Sequence, residues 1–116
     1  MLNKITNDRT LHAEISIIPI GTGVTSISKE VAVAFDAIRK TNGIRATKLT
    51  AMGTQIDADN MKAIFNAIDA AHQAVKSAGV KRIISNIKIS ERLDASRTLE
   101  AEVGSVTQRL TDGIGN

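Results

Sequence analysis

Hydrophobic residues recur along this chain with two different periods, and the order of those periods constrains the fold more than any other feature. Four segments, residues 13–20, 45–51, 54–58 and 82–89, alternate apolar and polar residues, which is typical of half-buried β-strands. Two longer segments lie between these strands, and their apolar residues recur every three or four positions, which indicates amphipathic helices. The chain therefore has the order β-α-β-β-α-β.

That order predicts an α+β fold, a ferredoxin-like βαββαβ sandwich. Two right-handed βαβ units around a central hairpin give a four-stranded antiparallel sheet with two helices on one face. A narrow apolar stripe in residues 99–110 predicts one more helix at the C-terminus. We expect a single domain over residues 13–110, with a loose polar leader at residues 1–12 and a frayed tail at residues 111–116.

The face of the sheet away from the two helices is largely polar, although two isoleucines interrupt it. A one-sided antiparallel sheet can simply meet water there. The isoleucines, Ile18 and Ile84, also fit a second layer contributed by the third helix or by another subunit. The alternation assigns to this open face Glu14, Ser16, Ile18, Lys48, Thr50, Gln55, Asp57, Arg82, Ile84, Asn86 and Lys88.

The chain contains no cysteine, which excludes disulfides, thiolate metal ligands and a cysteine nucleophile. Its sequence has no run approaching the roughly 20 apolar residues of a membrane span, and the first residues lack the apolar stretch of a secretory signal. We therefore expect a cytoplasmic protein without a membrane partner.

The net charge of +3 is mild, and the basic residues are dispersed along the chain. Surfaces that bind nucleic acids usually combine a basic stripe with aromatic side chains that stack on bases. The only aromatic residues, Phe35 and Phe65, fall at core positions of the predicted helices. The sequence therefore argues against a nucleic-acid partner.

The two histidines are too far apart to suggest a metal centre. His12 falls in the leader and is expected to be inert, whereas His72 lies at the edge of the apolar stripe of the second helix. A packed or solvated side chain is the ordinary interpretation of His72, and a ligand-binding role is the alternative. Because no His, Asp and Glu cluster at ligand spacing and no base can be placed beside a serine, the sequence predicts neither a metal site nor catalytic residues.

The glycine-containing segment of residues 21–26 joins the first strand to the first helix, where backbone amides could bind an anion. It does not match the dinucleotide-binding fingerprint, because Ser26 occupies the position of the third glycine. It also lacks the Gly-Lys-Ser/Thr ending of a phosphate loop. One interpretation is a tight turn with a helix cap, and the other is a pocket wall or an anion site.

Glu14 and Asp57 are expected on one face of neighbouring strands, because the first strand pairs with the third in this fold. Arg82 and Lys88 belong to the fourth strand, next to them. These charges form either an interface network or a site in which a carboxylate accepts a ring amine or faces a cationic heterocycle. Aromatic faces can also hold a cationic ring, but the chain has neither tyrosine nor tryptophan, which favours the carboxylates for that role.

Short segments along the chain form a more specific pattern than the periodicity does. They are Ser16-Ile17-Ile18-Pro19-Ile20-Gly21-Thr22-Gly23, Ser26-Ile27-Ser28-Lys29 with Val31-Ala32, Leu49-Thr50-Ala51-Met52-Gly53-Thr54-Gln55-Ile56-Asp57, Ala70-Ala71-His72, and Lys81-Arg82 with Ile87-Lys88-Ile89. In order and spacing these segments resemble the small ferredoxin-like thiamine-binding proteins, a family long catalogued as uncharacterised in archaea, bacteria and yeast. The resemblance runs from about Ala13 to Asp94, and the third helix agrees in pattern only.

Two departures from the family pattern concern charged residues. The family usually has a glutamate where this chain has Asp57. After the last strand it tends to show two acidic residues followed by Arg-Arg-Asp, whereas this chain reads Ser90-Glu91-Arg92-Leu93-Asp94. The turn therefore has one acid and one arginine fewer, and a role for it that depends on charge is in question.

The resemblance implies that the chain binds thiamine or its hydroxymethylpyrimidine moiety without chemistry, so it implies neither an enzyme nor a cofactor. It also implies a homo-oligomer, a tetramer built from dimers with paired sheets. We predict that the ligand pockets lie near subunit contacts. The predicted ligand-binding residues are Ser16, Gly21, Thr22, Ser26, Met52, Gly53, Thr54 and Asp57.

Two other functions stay open on the sequence alone. The chain could be an oligomeric structural or regulatory protein without a thiamine-type ligand, in which the polar sheet face is only an interface. It could also be an enzyme acting on a small phosphorylated metabolite through the glycine segment and Lys88, although nothing in the sequence pairs a base with a nucleophile.

Overall fold

The computed structural model describes residues 9–114 and contains a four-stranded sheet with three helices. The elements in chain order are β1 (Thr10–Ile20), α1 (Ser28–Arg39), β2 (Ile44–Thr50), β3 (Gly53–Ala58), α2 (Met61–Ser77), β4 (Arg82–Arg92) and α3 (Leu99–Thr111). The strand order across the sheet is β2-β3-β1-β4, and all three pairs of neighbouring strands are antiparallel. The predicted ferredoxin-like α+β fold with an added C-terminal helix is confirmed.

The register of the sheet puts the predicted polar residues side by side on the open face. Glu14 of β1 lies opposite Gln55 of β3 on one side and opposite Lys88 of β4 on the other. Lys48 of β2 lies opposite Gln55, so these residues form one row across all four strands. Directly opposed residues of an antiparallel pair share a face, so this row follows the predicted alternation.

The core lies between the other face of the sheet and helices α1 and α2. Alternate residues of β1 point into it, and α2 contributes a stripe of alanines, Ala63, Ala67 and Ala71, that is almost completely buried. Small side chains on that stripe let the helix approach the sheet closely, which suits a chain with few aromatic residues. The larger buried side chains are Leu11, Ile15, Ile38, Ile56, Ile64 and Val75.

Strand β1 begins three residues earlier than the alternation predicted, so residues 10–12 are not part of a leader. Thr10, Leu11 and His12 are all buried, and Thr10 lies opposite Arg92 of β4. The Thr10 hydroxyl donates to the carbonyl of Ala95 at 2.7 Å and accepts from the Arg97 amide at 2.7 Å. The polar side chains of this stretch are covered by the segment before α3, which local patterning could not reveal. Residues 1–8 of the predicted leader lie outside the described residues.

Two details of the helices differ from the sequence-based expectation. The sequence favours Asp59 as the N-cap of the second helix, because aspartate is a common capping residue. In the structure Asn60 caps α2, since its side-chain oxygen accepts from the Ala63 amide at 2.8 Å, and Asp59 pairs with Arg45. Phe65 was predicted in the core but is 57% exposed, on the outer side of α2. Neighbouring Ile64 takes the buried position, since the stripe of this helix is narrow and alanine-rich.

Helix α3 crosses to the open face of the sheet and buries only its first residue there. Leu99 is buried, while Val103, Val106 and Leu110 of the predicted stripe are more than half exposed. The tail after α3 continues as a cap, because the Ile114 amide donates to the carbonyl of Arg109 at 2.7 Å. Among residues 9–114, no helix is long and apolar enough to cross a membrane.

Candidate functional site

A cleft of about 240 Å³ opens where α1 begins, and we call it the apical cleft. The last half of β1, one side of α1 from its start to its last turn, and the β2–β3 turn surround it, because the βαβ crossover packs these three parts together. Its walls are largely apolar. The residues that line it are Ile15, Ser16, Ile17, Ile18, Ile27, Val31, Ala34, Ile38, Thr50, Ala51, Met52, Gly53 and Thr54.

Two threonine hydroxyls of the apical cleft have different environments. The Thr50 hydroxyl donates to the carbonyl of Gly53 at 2.8 Å and so closes the β2–β3 turn. The Thr54 side chain is only 4% exposed, and its hydroxyl has no hydrogen-bond partner among the described residues. Every fully buried side-chain oxygen or nitrogen in the described part of the chain has a hydrogen-bond partner, so the unpaired Thr54 hydroxyl is in contact with solvent. It therefore opens into the cleft, where a ligand or water can bind to it.

Strand β1 loses one of its two neighbours at the apical cleft. Its pairing with β4 continues to Ile20, whereas its pairing with β3 ends at Ile15, opposite Thr54. Gly53 comes close to β1 at this point, and a Cβ atom on it would lie 3.1 Å from the carbonyl oxygen of Ile15. Residues 16–18 of β1 line the cleft together with the β2–β3 turn, so the edge of β1 beyond Ile15 faces the cleft.

A carboxylate flanks the apical cleft in the first turn of α1. Glu30 is 8% exposed and has neither an ion pair nor a hydrogen bond among the described residues. It lies three residues after Ile27 and four before Ala34, both of which line the cleft, so the three share one side of the helix. Glu30 does not itself line the cleft, but it lies on the same side of α1 as these two lining residues.

The glycine segment forms a turn beside the apical cleft. Gly21 and Gly23 have φ angles of +82° and +83°, which only glycine adopts without strain. The hydroxyls of Ser26 and Ser28 lie 3.2 Å apart, and Ile27 at the helix start caps no amide with its side chain. The glycine φ angles support the tight turn, whereas the predicted helix cap is wrong, because no side chain of the segment caps α1.

Asp57 lies away from the apical cleft, at the other end of β3. It is four residues from Gly53, which corresponds to about 13 Å along a strand. Its carboxylate is 3.1 Å from the guanidinium of Arg45 and 4.0 Å from the ring of His12. The His12 ring nitrogen is also 3.1 Å from the carbonyl of Arg97. His12 thus belongs to a buried polar network and not to an inert leader.

A second cavity, of about 340 Å³, lies beneath α3 on the open face. The Glu14 carboxylate at its floor accepts a hydrogen bond from Gln55 at 3.4 Å, while Lys88 beside it forms no ion pair among residues 9–114. The predicted neighbourhood of Glu14 and Lys88 is therefore present, but it is separate from the apical cleft. The prediction that Arg82 lies beside them is wrong, because Arg82 lies opposite Ile20, at the other end of the β1–β4 pair. The residues that line this cavity are His12, Ala13, Glu14, Gln55, Lys88, Ser90, Leu99, Glu102 and Val103.

The remaining sequence candidates occupy structural positions. His72 packs across to β4, where its ring nitrogen lies 3.0 Å from the Ser85 hydroxyl. In the turn that departs from the family pattern, the hydrogen bond from Arg92 holds the pKa of Asp94 below its usual value. Within the described part of the chain, no group of three or more His, Asp and Glu residues could hold a metal ion.

The structure divides the eight predicted ligand-binding residues among three places. Ser16, Met52, Gly53 and Thr54 line the apical cleft. Gly21, Thr22 and Ser26 lie in the adjoining turn before α1. Asp57 belongs to the distant polar network with Arg45 and His12. Sequence reasoning missed Glu30, although a charged residue between the apolar positions of α1 was the signal that could have identified it.

Comparison with known proteins agrees with this architecture. The chain is 40% identical over 98 residues to a UPF0045 protein of Methanothermobacter thermautotrophicus, covering 84% of this chain and 97% of that protein. It is 36% identical over 103 residues to the UPF0045 protein YqgV of Bacillus subtilis, covering 84% and 95% of the two chains. These relatives have nearly the same length as the matching region.

Solved structures show the same fold. The structure of MJ1052 from Methanocaldococcus jannaschii superposes with a TM-score of 0.74 at 32% identity and covers 87% of this chain and 98% of that one. A protein of Thermotoga maritima, described as a candidate thiamine biosynthesis or salvage protein, superposes with a TM-score of 0.63 at 15% identity, with coverages of 84% and 98%. The family model of the thiamine-binding proteins matches residues 13–107. The chain therefore belongs to the thiamine-binding protein family.

Proposed function

We propose that this chain binds thiamine or its hydroxymethylpyrimidine moiety in the apical cleft, without chemical transformation, as part of a cytoplasmic homo-oligomer. The observation that carries the location is the unpaired hydroxyl of Thr54, which is almost completely buried and opens into a cleft with apolar walls. Ligand sites commonly combine an apolar enclosure with a few convergent polar groups. A flat ring fits such a site because its faces contact apolar side chains while its edge forms hydrogen bonds.

The size of the apical cleft favours one ring over the whole vitamin. A volume of about 240 Å³ lies below the roughly 300–1,000 Å³ of most sites for drug-sized ligands. The pyrimidine ring with its substituents fills such a space, and the remainder of thiamine then extends past Met52, which is almost fully exposed. The family membership and the description of the Thermotoga maritima protein support a ligand of this class.

The lack of catalytic groups in the apical cleft supports binding without turnover. The side chains that line it are aliphatic residues, a methionine and two threonines, and none of them is a general base. Glu30 stands beside the cleft without a serine, threonine or histidine hydrogen-bonded to it. These observations favour a protein that stores, carries or senses its ligand.

Exposed apolar residues support the proposed oligomer. Val103, Val106 and Leu110 form an unpartnered stripe on α3, and β4 is an edge strand of eleven residues. Contiguous exposed apolar surface and long unpaired edges are usually covered in the functional assembly. We expect a tetramer in light scattering, and we expect Val106→Lys to reduce its mass. A Val106→Lys variant that keeps the full mass would exclude the α3 stripe as a subunit contact.

Calorimetric titration of the purified protein with thiamine, thiamine diphosphate and hydroxymethylpyrimidine tests the proposal. We expect saturable binding of thiamine and hydroxymethylpyrimidine, weakened about tenfold by Thr54→Val, because one hydrogen bond in a desolvated cleft contributes about 1–1.5 kcal/mol. Lys88→Gln is the matched control, since it alters the other cavity and should leave the affinity unchanged.

The pair of variants locates the site as well as testing its existence. Loss of binding in Lys88→Gln with normal binding in Thr54→Val would move the site to the cavity beneath α3. The absence of saturable heat with all three compounds, from an intact oligomer, would refute the thiamine-type ligand. The open face would then be better explained as an interface alone.

A further inference from the structure

One edge of strand β1 is unpaired where it borders the apical cleft, and none of the side-chain contacts proposed above involves this edge. Strand β1 pairs with β3 only from His12 to Ile15, although it continues to Ile20. Outside the strand ladders, residues 16–20 form no backbone hydrogen bond to any described loop or turn. The backbone of this stretch therefore has β4 on one side and the apical cleft on the other.

Alternate residues of a strand direct both their N–H and their C=O toward the same edge, parallel to each other. In the stretch from Ser16 to Ile18, at least one residue thus offers a donor and an adjacent acceptor to the cleft. Buried backbone N–H and C=O groups nearly always form hydrogen bonds. We therefore expect a partner of this edge that offers an acceptor to the N–H and a donor to the C=O. Pro19 has no N–H, which limits the donors of this edge to the residues before it and to Ile20.

We propose that the apical cleft recognises its ligand through the main chain of β1, and that the ligand class is a planar heterocycle with an amino donor beside a ring-nitrogen acceptor. Such a ring edge takes the place that the missing strand would occupy opposite Ser16–Ile18. This inference rests on the proposed function, because it specifies which groups of the protein recognise the ligand in the same cleft.

Three observations favour a ring over a peptide strand as the occupant of this edge. The cleft is closed at one end by the β2–β3 turn, where Gly53 lies against Ile15. Its volume of about 240 Å³ suits a single ring better than several residues of extended chain. The Thr54 hydroxyl supplies one additional polar contact near the end of the edge, where a substituent of the ring can reach it.

Main-chain recognition has a consequence for the side chains of β1. Ser16 lies opposite Asn86, on the face that also carries Glu14, so its hydroxyl belongs to the open face while its backbone lines the cleft. Under this proposal Ser16 contributes its backbone, which a side-chain substitution does not remove. Lys88→Gln alters only the cavity beneath α3 and should bind hydroxymethylpyrimidine within about twofold of the unmodified chain. Thr54→Val removes a contact that the ligand uses and should weaken the same binding about tenfold.

Amide hydrogen exchange, followed by NMR with and without saturating hydroxymethylpyrimidine, tests the proposal. We expect exchange of at least one amide in Ser16–Ile18 to slow by about tenfold or more, because a new hydrogen bond protects it. Amides on the outer edge of β4, which the cleft does not reach, serve as the internal control. The 4-oxo analogue of the pyrimidine, which exchanges donor and acceptor positions, should bind about tenfold more weakly or worse.

The outcomes separate this inference from the proposed function. Saturable binding without any new protection between Ser16 and Ile18 would overturn main-chain recognition while leaving the binding function intact. Equal affinity for the amino and the oxo pyrimidine would overturn it as well. If hydroxymethylpyrimidine and thiamine do not bind at all, the proposed function fails first. Protection of the same amides by a peptide, without binding of either ring, would show that the edge accepts a strand instead.

Discussion

Replacing Thr54 by valine should stabilise the unliganded protein and lower its affinity for the ligand. Valine has nearly the shape of threonine and a similar strand propensity, so the substitution changes little except the hydroxyl. In the unliganded chain Thr54 is buried as a residue, while its hydroxyl reaches the apical cleft and has no hydrogen-bond partner among residues 9–114. A buried polar group without a partner costs free energy, and a methyl group in its place removes the cost.

The size of the stabilisation follows from how far water reaches the hydroxyl. A fully buried unpaired hydroxyl costs about 1–3 kcal/mol, but this one opens into the apical cleft, which reduces the expected gain to about 0.5–1 kcal/mol. For a domain of this size, that gain raises the melting temperature by about 2–5 °C. Ligand affinity should move in the opposite direction by about tenfold, since the bound ring loses a hydrogen bond.

Thr50→Val is the matched control, because the Thr50 hydroxyl lines the same cleft but is already bonded to Gly53. Its loss should lower the free energy of unfolding by about 0.5–1.5 kcal/mol. Urea denaturation of the two variants, without ligand and at equal protein concentration, measures the difference directly. If Thr54→Val destabilises the chain as much as Thr50→Val does, the Thr54 hydroxyl has a partner within the protein, and the reasoning is refuted.

Three further predictions concern charge and backbone contact. Glu30→Gln should weaken the binding of cationic thiamine about two- to fivefold in calorimetry and leave the affinity for neutral hydroxymethylpyrimidine unchanged, because a nearby carboxylate attracts only the charged ring. Equal losses of affinity for both compounds would contradict this prediction. Gly53→Ala should lower the free energy of unfolding by about 1–2 kcal/mol in urea denaturation, because the Cβ of the new alanine would press against the Ile15 carbonyl oxygen. Gly104→Ala in α3 is the control: its Cβ would contact no atom, so the substitution should be neutral or stabilising. Hydrogen bonds from Lys40 and, to a smaller extent, from Arg39 lower the pKa of Asp36. The stability that these bonds contribute is therefore present above the ordinary aspartate pKa of about 3.9 and is lost as the pH falls through the lower pKa of the folded protein. An NMR titration in which the pKa of Asp36 is not lowered would contradict this prediction.

The alternation of the strands predicted which side chains share a face, because a strand has a fixed period of two. Glu14, Gln55 and Lys88 were placed together on that ground, and their register confirms it. The same alternation did not reveal how far along each strand a residue lies. Asp57 shares the open face with Glu14 but lies at the far end of β3 from Met52, so a common face did not imply a common site.

The parts that sequence reasoning missed depend on contacts between segments distant in the chain. Thr10 and His12 look like a polar leader, and they are buried only because the segment around Arg97 folds back over them. Glu30 looks like an ordinary charged residue of a helix, and only its position between Ile27 and Ala34 brings it next to the cleft. The unpaired edge of β1 follows from the point where β3 ends, which no local pattern encodes.

A crystal structure of the protein with hydroxymethylpyrimidine tests the central claim most directly. The account predicts the ring between α1 and the β2–β3 turn, with its amino-bearing edge against the backbone of Ser16–Ile18 and a hydrogen bond to the Thr54 hydroxyl. A ring bound beneath α3, against Glu14 and Lys88, with the apical cleft empty, would contradict it.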